Sequence, residues 1–531
     1  MEPLPQGIDC QRCHGPGRRH VQLAQTAGST PATLRAAIVN PARLSPERRE
    51  EVCIQCHLES TSFPLPNSLQ RYGQGPFAYR PGLPLSDYWL FFDHAPAANR
   101  TGKFELVNAV YRIRQSKCYL ANPTALGCTT CHSPHDVPRA EAATRHYDAA
   151  CRTCHTAAFN QLIASGRHTA TPGCAECHMP KRRTEDVVHA VVTDHLIQRL
   201  PPPGDLAAPL PERHESGDQA YRGQVALYYP EKLRQSLDND LYLALAQVID
   251  KSNLSAGIPQ LAVALSRQQR TPPAQPRVEF TLALAEAWHN AGSPEKALPL
   301  YRDAAARSPR SVFALQKLAT ALRDAGQPAQ AITILQQAAA LNPNDPTTWH
   351  ELGLARRAQG NPAAAIAALQ KAIALDPNLP EPHSNLGIVH LSSGDNTAAE
   401  AAFREAIRIQ PSYADAHNNL ANLLSSKGDF PQARLHFETA IRLNPADART
   451  RYNFAMALGR ARDFNEAQRQ LEAALQSDPA LAEARLILAQ ILLAKGDTPA
   501  AIAHLQKAAA AQDPGVRKAA ADLLRELGVG R

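Results

Sequence analysis

Five copies of the pattern Cys-x-x-Cys-His lie within the first 178 residues of a 531-residue chain, and they use ten of its eleven cysteines. Two thiols at this spacing can form thioethers with the two vinyl groups of one porphyrin, and the adjacent imidazole then binds the iron. The pattern therefore predicts five covalently attached c-type haems. The thiols are those of Cys10 and Cys13, Cys53 and Cys56, Cys128 and Cys131, Cys151 and Cys154, and Cys174 and Cys177. The predicted proximal ligands are His14, His57, His132, His155 and His178.

Each haem iron needs a ligand on its other face, and the usual ones are a second histidine or a methionine. The chain has three methionines: Met1 is terminal, Met456 is distant, and Met179 adjoins the proximal His178 and cannot reach the opposite face of the same haem. We therefore expect bis-histidine ligation, which leaves no site for a substrate and favours an electron carrier without catalytic residues. The distal candidates are His20, His94, His135, His168 and His195, with His146 and His189 in reserve.

Two other chemistries stay open at this point. Cys-x-x-Cys pairs also hold structural zinc, although a zinc site does not require the following histidine. A redox enzyme acting on a small nitrogen or sulfur compound would need one five-coordinate iron, but there is no Cys-x-x-Cys-Lys motif of the nitrite-reducing kind. The eleventh cysteine, Cys118, has no Cys-x-x-Cys partner. We expect it to be a buried small side chain beside a haem.

The composition divides the chain into three parts. Residues 1–200 hold every cysteine, residues 201–240 are rich in proline, and residues 241–531 are rich in alanine and leucine. This predicts a haem domain, a stiff linker and a helical domain. The net charge of +7 comes from the haem part, where arginine and lysine can pair with haem propionates. We therefore do not expect nucleic acid as a partner.

The sequence from Val278 onward repeats every 34 residues. Repeat position 8 is Gly or Ala, position 20 is Ala and position 15 is usually Gly, which is the pattern of tetratricopeptide repeats. We expect a degenerate helix pair at 241–277, seven repeats at 278–515 and a capping helix at 516–529. The predicted fold class is mainly α, with a loop-rich multihaem cytochrome c domain followed by an all-α tetratricopeptide solenoid.

Three asparagines occupy position 6 of successive repeats, on the helix that lines the concave surface of such a solenoid: Asn385, Asn419 and Asn453. A side-chain amide offers both a donor and an acceptor to a peptide backbone. The asparagines therefore predict a groove for a peptide or partner protein. The alternative is that asparagine at this position belongs to the general repeat consensus.

The amino-terminal residues MEPLPQGIDC contain neither the basic nor the apolar part of an export signal. No later stretch reaches the roughly eighteen apolar residues of a membrane span. Haem is attached to such motifs outside the cytoplasm, and the first motif begins at Cys10 with little sequence before it. We therefore expect that an upstream segment precedes this start.

The segments CQRCHGPGRRHV, IRQSKCYLANPTALGCTTCHSPHD, RHYDAACRTCH and CAECHMPK resemble parts of bacterial multihaem c-type cytochromes that carry doubled Cys-x-x-Cys-His motifs and a fused tetratricopeptide domain. The resemblance covers most of residues 7–200. It implies a periplasmic protein that exchanges electrons with a redox partner protein, with an export signal and further haem motifs upstream. Some of the distal candidates would then serve haems on that upstream part.

Overall fold

A computed structural model of the chain describes residues 10–59, 68–75, 77–95, 102–169, 173–200, 202–210, 221–270 and 277–529. These residues are mainly helical, and the chain forms two compact units, Met1–Ala297 and Leu298–Arg531. In the described residues, no helix combines the length and the hydropathy needed to cross a bilayer.

The two cysteines of each motif lie on a helix. The motif helices are Cys10–His14, Pro46–His57, Cys128–Cys131, Ala140–Ala164 and Cys174–His178. Residues three and four apart are neighbours on a helix surface, so one turn presents both thiols and, in four of the motifs, the following imidazole on the same side. In the third motif His132 follows the helix with an extended backbone.

The remaining structure of the motif-bearing part is made of short elements. Its other helices are Arg18–Ala24, Pro31–Ala36, Ala109–Arg114 and Lys117–Ala121, with 3₁₀ turns at Pro41–Arg43 and Leu85–Asp87. An antiparallel sheet has the strand order Ser68–Gln70, Trp89–His94, Val225–Tyr229, with a register shift between Phe91 and Phe92. A second antiparallel pair joins Lys181–Arg183 to Val191–Thr193. A small apolar core lies beside the first sheet and contains Ile54, Leu58, Leu85, Phe91, Val110, Tyr111 and Tyr229.

The structure differs from the predicted linker, 201–240, in its second half. Residues 225–229 form a sheet strand, and a helix begins at Leu237. The apolar run VALYY forms the third strand of the sheet. The sequence did not indicate this strand because the surrounding segment is rich in proline. Residues 201 and 211–220 of the predicted linker lie outside the described residues.

The first compact unit therefore includes helices that the sequence assigned to the repeats. Arg71 donates to the Asp238 carboxylate at 2.8 Å, and the ring centre of Tyr72 lies 5.8 Å from that of Tyr242. These contacts pack the sheet-bearing segment against the degenerate pair, Leu237–Val248 and Leu254–Gln269, which are separated by the 3₁₀ turn Ile249–Lys251.

Each predicted 34-residue repeat contains two helices, called here helix A and helix B. The pairs are Val278–Asn290 with Pro294–Arg307, Val312–Asp324 with Pro328–Leu341, Pro346–Ala358 with Pro362–Leu375, Pro380–Ser392 with Asn396–Ile409, Ala414–Ser426 with Phe430–Leu443, Ala448–Arg460 with Phe464–Ser477, and Ala482–Ala494 with Thr498–Ala508. Helix Pro514–Glu526 follows them.

Small residues allow the two helices of a repeat to approach closely. A Cβ added at Gly353 would lie 2.7 Å from Cγ of Leu369, and one added at Gly387 would lie 2.6 Å from Cε1 of Phe403. These distances are far inside van der Waals contact. The position-20 alanines are likewise buried, so the repeat pattern reflects steric necessity.

The turn between helix A and helix B uses a left-handed residue at position 15. Six repeats have glycine there, with φ between 72° and 84°. In the sixth repeat Arg462 adopts φ 62° at the same position. The conformation is therefore imposed by the repeat even where a side chain opposes it.

Candidate functional site

Three motif histidines each face a second histidine. The ring centres of His14 and His135 are 5.8 Å apart, and the ring planes differ by 20°. The ring centres of His132 and His195 are 6.1 Å apart, with an interplanar angle of 37°. His178 faces His168 at 6.1 Å and 28°. Each pair joins a predicted proximal ligand to a predicted distal candidate.

Two imidazoles bound to opposite sides of one metal ion have a characteristic separation. A metal–imidazole bond is about 2 Å long and each ring centre lies about 1 Å behind its nitrogen, so two rings on opposite sides of one metal have centres about 6 Å apart. Direct ring stacking would also allow shorter separations. The ring-centre separations of the three pairs match this distance.

Backbone carbonyls orient several of these imidazoles. Nδ1 of His14 donates to the Val39 carbonyl at 2.8 Å, and Nδ1 of His178 donates to the Gln198 carbonyl at 2.7 Å. In both cases the partner residue's N–H bonds back to the histidine carbonyl. A donor role for Nδ1 leaves the lone pair on Nε2 for a metal.

The distal histidines show the same hydrogen-bond pattern. Nδ1 of His168 donates to the Thr169 carbonyl at 2.7 Å, and Nδ1 of His195 donates to the Thr193 carbonyl at 3.1 Å. His20, which adjoins the first motif, donates through Nδ1 to the Leu34 carbonyl at 2.9 Å. His20 is thus oriented in the same way as the paired histidines.

The other candidates have different surroundings. His94 is buried on a strand, with its ring 4.4 Å from that of Tyr221 and Nδ1 3.3 Å from the Asp93 carboxylate. Nε2 of His146 donates to the Cys131 carbonyl at 2.9 Å, which is the opposite ring nitrogen from the one that donates in the paired histidines. His189 lies in the turn before strand Val191–Thr193.

Two proximal candidates remain without an opposite imidazole among the described residues. His57 and His155 are both exposed at their motif helices, and neither makes a ring contact with another histidine there. His57 lies close enough to His132 and His195 to lower the pKa of both, although burial is the larger cause in each case.

Thiols of successive motifs are neighbours in space. Cys13 lies beside Cys53, and Cys53 is hydrogen-bonded to Cys128. The fourth motif's first thiol, Cys151, interacts both with Cys131 of the third motif and with Cys174 of the fifth. The motifs therefore follow one another in space in their order along the chain.

Burial and mutual proximity raise the pKa of most motif thiols. The hydrogen bond to Cys53, together with burial, raises the pKa of Cys128, and burial with Asp148 raises the pKa of Cys174 to about 11. Neutral thiols are poor metal ligands, because a metal binds the thiolate. Among the described residues, no three His, Cys, Asp or Glu side chains form a group that could hold a metal ion.

Two acidic residues that the sequence reasoning missed hold the motif segments in place. The buried Asp148, on the fourth motif's helix, accepts hydrogen bonds from the backbone N–H groups of Gly173 at 2.9 Å and Cys174 at 2.7 Å. Asp194 pairs with Arg112 next to His195. Their positions beside a motif cysteine or a candidate histidine were the only available signal. Cys118 is half-buried near Cys131 and Cys151.

The position-6 asparagines connect neighbouring A helices. Nδ2 of Asn385 lies 3.0 Å from Nε2 of His350, and Nδ2 of Asn453 donates to Oδ1 of Asn418 at 3.1 Å. Asn419 makes a longer contact with Ser384, 3.5 Å. In each pair the partner precedes the asparagine by 35 residues, at position 5 of the preceding repeat. The asparagines thus have a structural role between repeats.

Two family models match the helical part of the chain. The model described as the cilia and flagella-associated protein 70 C-terminal domain matches residues 235–484, and a tetratricopeptide repeat model matches residues 460–527. No curated protein matches the chain.

Solved structures with repeat folds are also similar to the chain. The APC/C hetero-tetramer Cut9–Hcn1 is 17% identical with a TM-score of 0.39, over 53% of this chain and 55% of that one. Yeast Tom70 is 20% identical with a TM-score of 0.45, over 56% of this chain and 65% of that one. MamA is 27% identical with a TM-score of 0.27, over 31% of this chain and 96% of that one. The chain thus spans less than two thirds of the first two.

The family matches and the helix pairs cover the same residues. They identify 235–527 as a tetratricopeptide repeat domain, which is a scaffold for binding partner proteins.

Proposed function

We propose that this chain is a multihaem c-type cytochrome that transfers electrons, and that its repeat domain docks a partner protein. The observation that carries the proposal is the set of three histidine pairs at the spacing of one metal. Each pair contains a histidine that directly follows two cysteines at the thioether spacing.

The residues around the motifs fit a porphyrin. The apolar side chains of Val21 and Val137, close to the first and third motifs, are 52% and 68% exposed. Porphyrin faces are large apolar surfaces that such side chains can cover. The guanidinium groups of Arg18, Arg19 and Arg139 are exposed nearby and can form charge-assisted hydrogen bonds with propionates.

The protein's own groups then have defined roles. Bound haem supplies one-electron redox chemistry, with a potential set by its axial ligands and their surroundings. His14, His132 and His178 would hold the iron together with His135, His195 and His168, respectively. The carbonyl partners of Nδ1 in His14, His178, His168 and His195 would leave Nε2 of these four imidazoles to bind it.

The order of the motifs in space supports transfer along the chain. Neighbouring thiols belong to successive motifs, so their haems would be close neighbours. His132 and His135 are three residues apart, yet they face different partners, so the third motif's segment would bridge two haems. Since covalent haem is attached outside the cytoplasm, we propose a periplasmic or otherwise extracytoplasmic location.

In the repeat domain, the asparagine ladder supports a peptide groove. The amide nitrogens of Asn385 and Asn453 bond to the preceding repeat, and a side-chain amide also carries an oxygen that can accept from a peptide N–H. The groove would hold an extended segment of the redox partner protein or of another client.

Haem attachment is tested by mass spectrometry of the full chain produced in a cytochrome-maturing host. We expect the added mass of five haems, and of four in a Cys128→Ala/Cys131→Ala variant. The matched control, Cys118→Ala, should keep all five. Unmodified thiols throughout would refute the proposal, and bound zinc in place of haem would establish the zinc scaffold instead.

A second candidate function is a redox enzyme for a small nitrogen or sulfur compound. It is favoured by one observation, namely that His57 and His155 have no imidazole opposite them among the described residues. A five-coordinate iron would bind carbon monoxide in its ferrous state. A carbon monoxide shift that disappears in a Cys53→Ala/Cys56→Ala variant would favour the enzyme, and a wholly low-spin, unreactive protein would favour the carrier.

A further inference from the structure

We propose that the buried ion pair between Arg112 and Asp194 is a positioning device that holds His195 opposite His132 as a haem ligand. This inference rests on the proposed haem function. Arg112 and Asp194 belong to no sequence motif. They are 82 positions apart in the chain, so no local pattern indicates that they pair.

The ion pair has the geometry of a rigid clamp. Nε of Arg112 donates to Oδ1 of Asp194 at 2.9 Å, and Nη2 donates to Oδ2 at 2.7 Å. Only 4% of the arginine side chain and 2% of the aspartate side chain are exposed. Two parallel hydrogen bonds fix the carboxylate in direction as well as in distance.

A contribution to the stability of the fold does not by itself explain why such an ion pair is buried here. Burying two charges costs much of what their attraction returns, and apolar residues of similar volume are often as stable. What a buried bidentate pair supplies is a fixed geometry. Here the fixed element is the residue directly before His195.

Further contacts hold the backbone on both sides of the histidine. The N–H of Asp194 donates to the Pro180 carbonyl at 3.0 Å, and Oδ1 of Asp194 accepts from the N–H of Leu196 at 2.9 Å. Oγ of Ser116, which is fully buried, accepts from the N–H of Ile197 at 2.8 Å. Residues 194–197 are thus tied to the segment 112–116.

The ring itself has little remaining freedom. Nδ1 of His195 donates to the Thr193 carbonyl, and the ring centre lies 6.1 Å from that of His132. A shift of the backbone at Asp194 would therefore move Nε2 away from the position that a metal held by His132 requires. Arg112 and Asp194 act through His195 and do not touch the metal.

The test compares Asp194→Asn with Asp205→Asn in the full-length protein from a cytochrome-maturing host. Asp205 is exposed, and its carboxylate accepts a local hydrogen bond from the N–H of Ala207. Mass spectrometry counts the haems, and electron paramagnetic resonance with redox titration reports spin state and potential. For Asp194→Asn we expect five haems, with the signal of one haem in five changed from low spin or shifted in potential.

A His195→Ala variant should change the same haem, and Asp205→Asn should match the parent protein. If Asp194→Asn fails to fold, Arg112→Lys, which keeps the charge but loses the bidentate bonds, is expected to shift the same signal. The inference would be overturned if Asp194→Asn, or Arg112→Lys in its place, gave the same spectrum as the parent protein. The same spectrum for His195→Ala would also overturn it, and in both cases the haem count would stay at five. Absence of haem from the parent protein would instead refute the proposed function.

Discussion

Two helices of this chain have similar regularity but very different surroundings. Helix Asn396–Ile409 in the repeat domain buries Ala399, Ala402, Phe403 and Ala406 against its neighbours. Helix Ala140–Ala164, which carries the fourth motif, buries only Asp148 among its 25 residues. Helices in water are usually stabilised by packing of an apolar face. The repeat helix therefore contributes to an apolar core, whereas the helix of the fourth motif leaves its apolar side chains at least partly accessible.

The two regions also differ in whether they bury charged side chains. Glu51, Arg112, Asp148 and Asp194 are buried in the motif-bearing unit, each with hydrogen-bond partners. Among described residues from 278 onward, the buried polar side chains are hydroxyls and one histidine. Buried ion pairs and hydrogen bonds therefore stabilise the short elements of the motif-bearing unit. The repeats are stabilised mainly by close packing of apolar side chains.

The largest expected effect follows from the small apolar core of the motif region and from the exposed helix of its fourth motif. If the proposed haems are withheld by production without the maturation system, we expect residues 10–200 to become protease-sensitive because they lose their main apolar partners. The repeats, 278–529, should keep their helical signal. Limited proteolysis with mass spectrometry measures both, with mature protein as the control. Equal protection of the motif region in both preparations would contradict the contrast between the regions.

Because the helices of a repeat pack closely, adding a single methyl group between them should change the free energy of unfolding strongly. Gly387→Ala places a Cβ against the buried ring of Phe403 and should lower the free energy of unfolding by about 1–3 kcal/mol. Gly459→Ala is the matched control, since nothing lies within 4 Å of its added Cβ, and it should raise stability by about 0.5–1 kcal/mol. Urea denaturation measures both, and equal effects would show that packing does not decide this position.

Stability of the repeat region should also depend on pH through a histidine pair. Nε2 of His417 donates to the Pro411 carbonyl, so its Nδ1 accepts from Nδ1 of His436 at 2.9 Å. Burial, followed by the neighbouring His417, lowers the pKa of His436 to about 4. Because the folded pKa lies below the unfolded value of about 6.5, this contribution is present above about pH 6.5 and is lost as the pH falls toward 4.

The corresponding measurement is the urea midpoint at about pH 7 and about pH 5 for the parent protein and His436→Gln. We expect the parent to lose more stability on acidification than the variant does. An identical decrease in both would assign the pH dependence to other groups, most simply the carboxylates.

The smallest expected effect concerns the turn of the sixth repeat. Arg462→Gly removes the cost of a side chain at φ 62° and should raise the free energy of unfolding by about 0.5–1 kcal/mol. The reverse change at the equivalent position, Gly428→Arg, should lower it by about 1–2 kcal/mol. Thermal unfolding of both variants checks the pair, and a destabilising Arg462→Gly would show that the arginine contributes contacts that outweigh the strain.

The sequence alone determined the features that depend on neighbouring residues. The 34-residue period placed the repeat helices because each repeat packs mainly on the next one. The Cys-x-x-Cys spacing placed the two thiols of each motif on one helical turn for the same local reason. The expected helix pairs from Val278 onward agree with the observed ones. At repeat position 15, Arg462 replaces the usual glycine but has the same left-handed backbone conformation.

Tertiary structure decided what depends on distant segments. Which imidazole faces His14, His132 or His178 could not be read from seven similar candidates, because the answer depends on how loops without periodicity return to the motifs. The strand Val225–Tyr229 and the pairing of Arg112 with Asp194 have the same origin. A repeat is specified by contacts between neighbouring segments, whereas an irregular fold is specified by single contacts between residues far apart in the chain, and no local pattern encodes those.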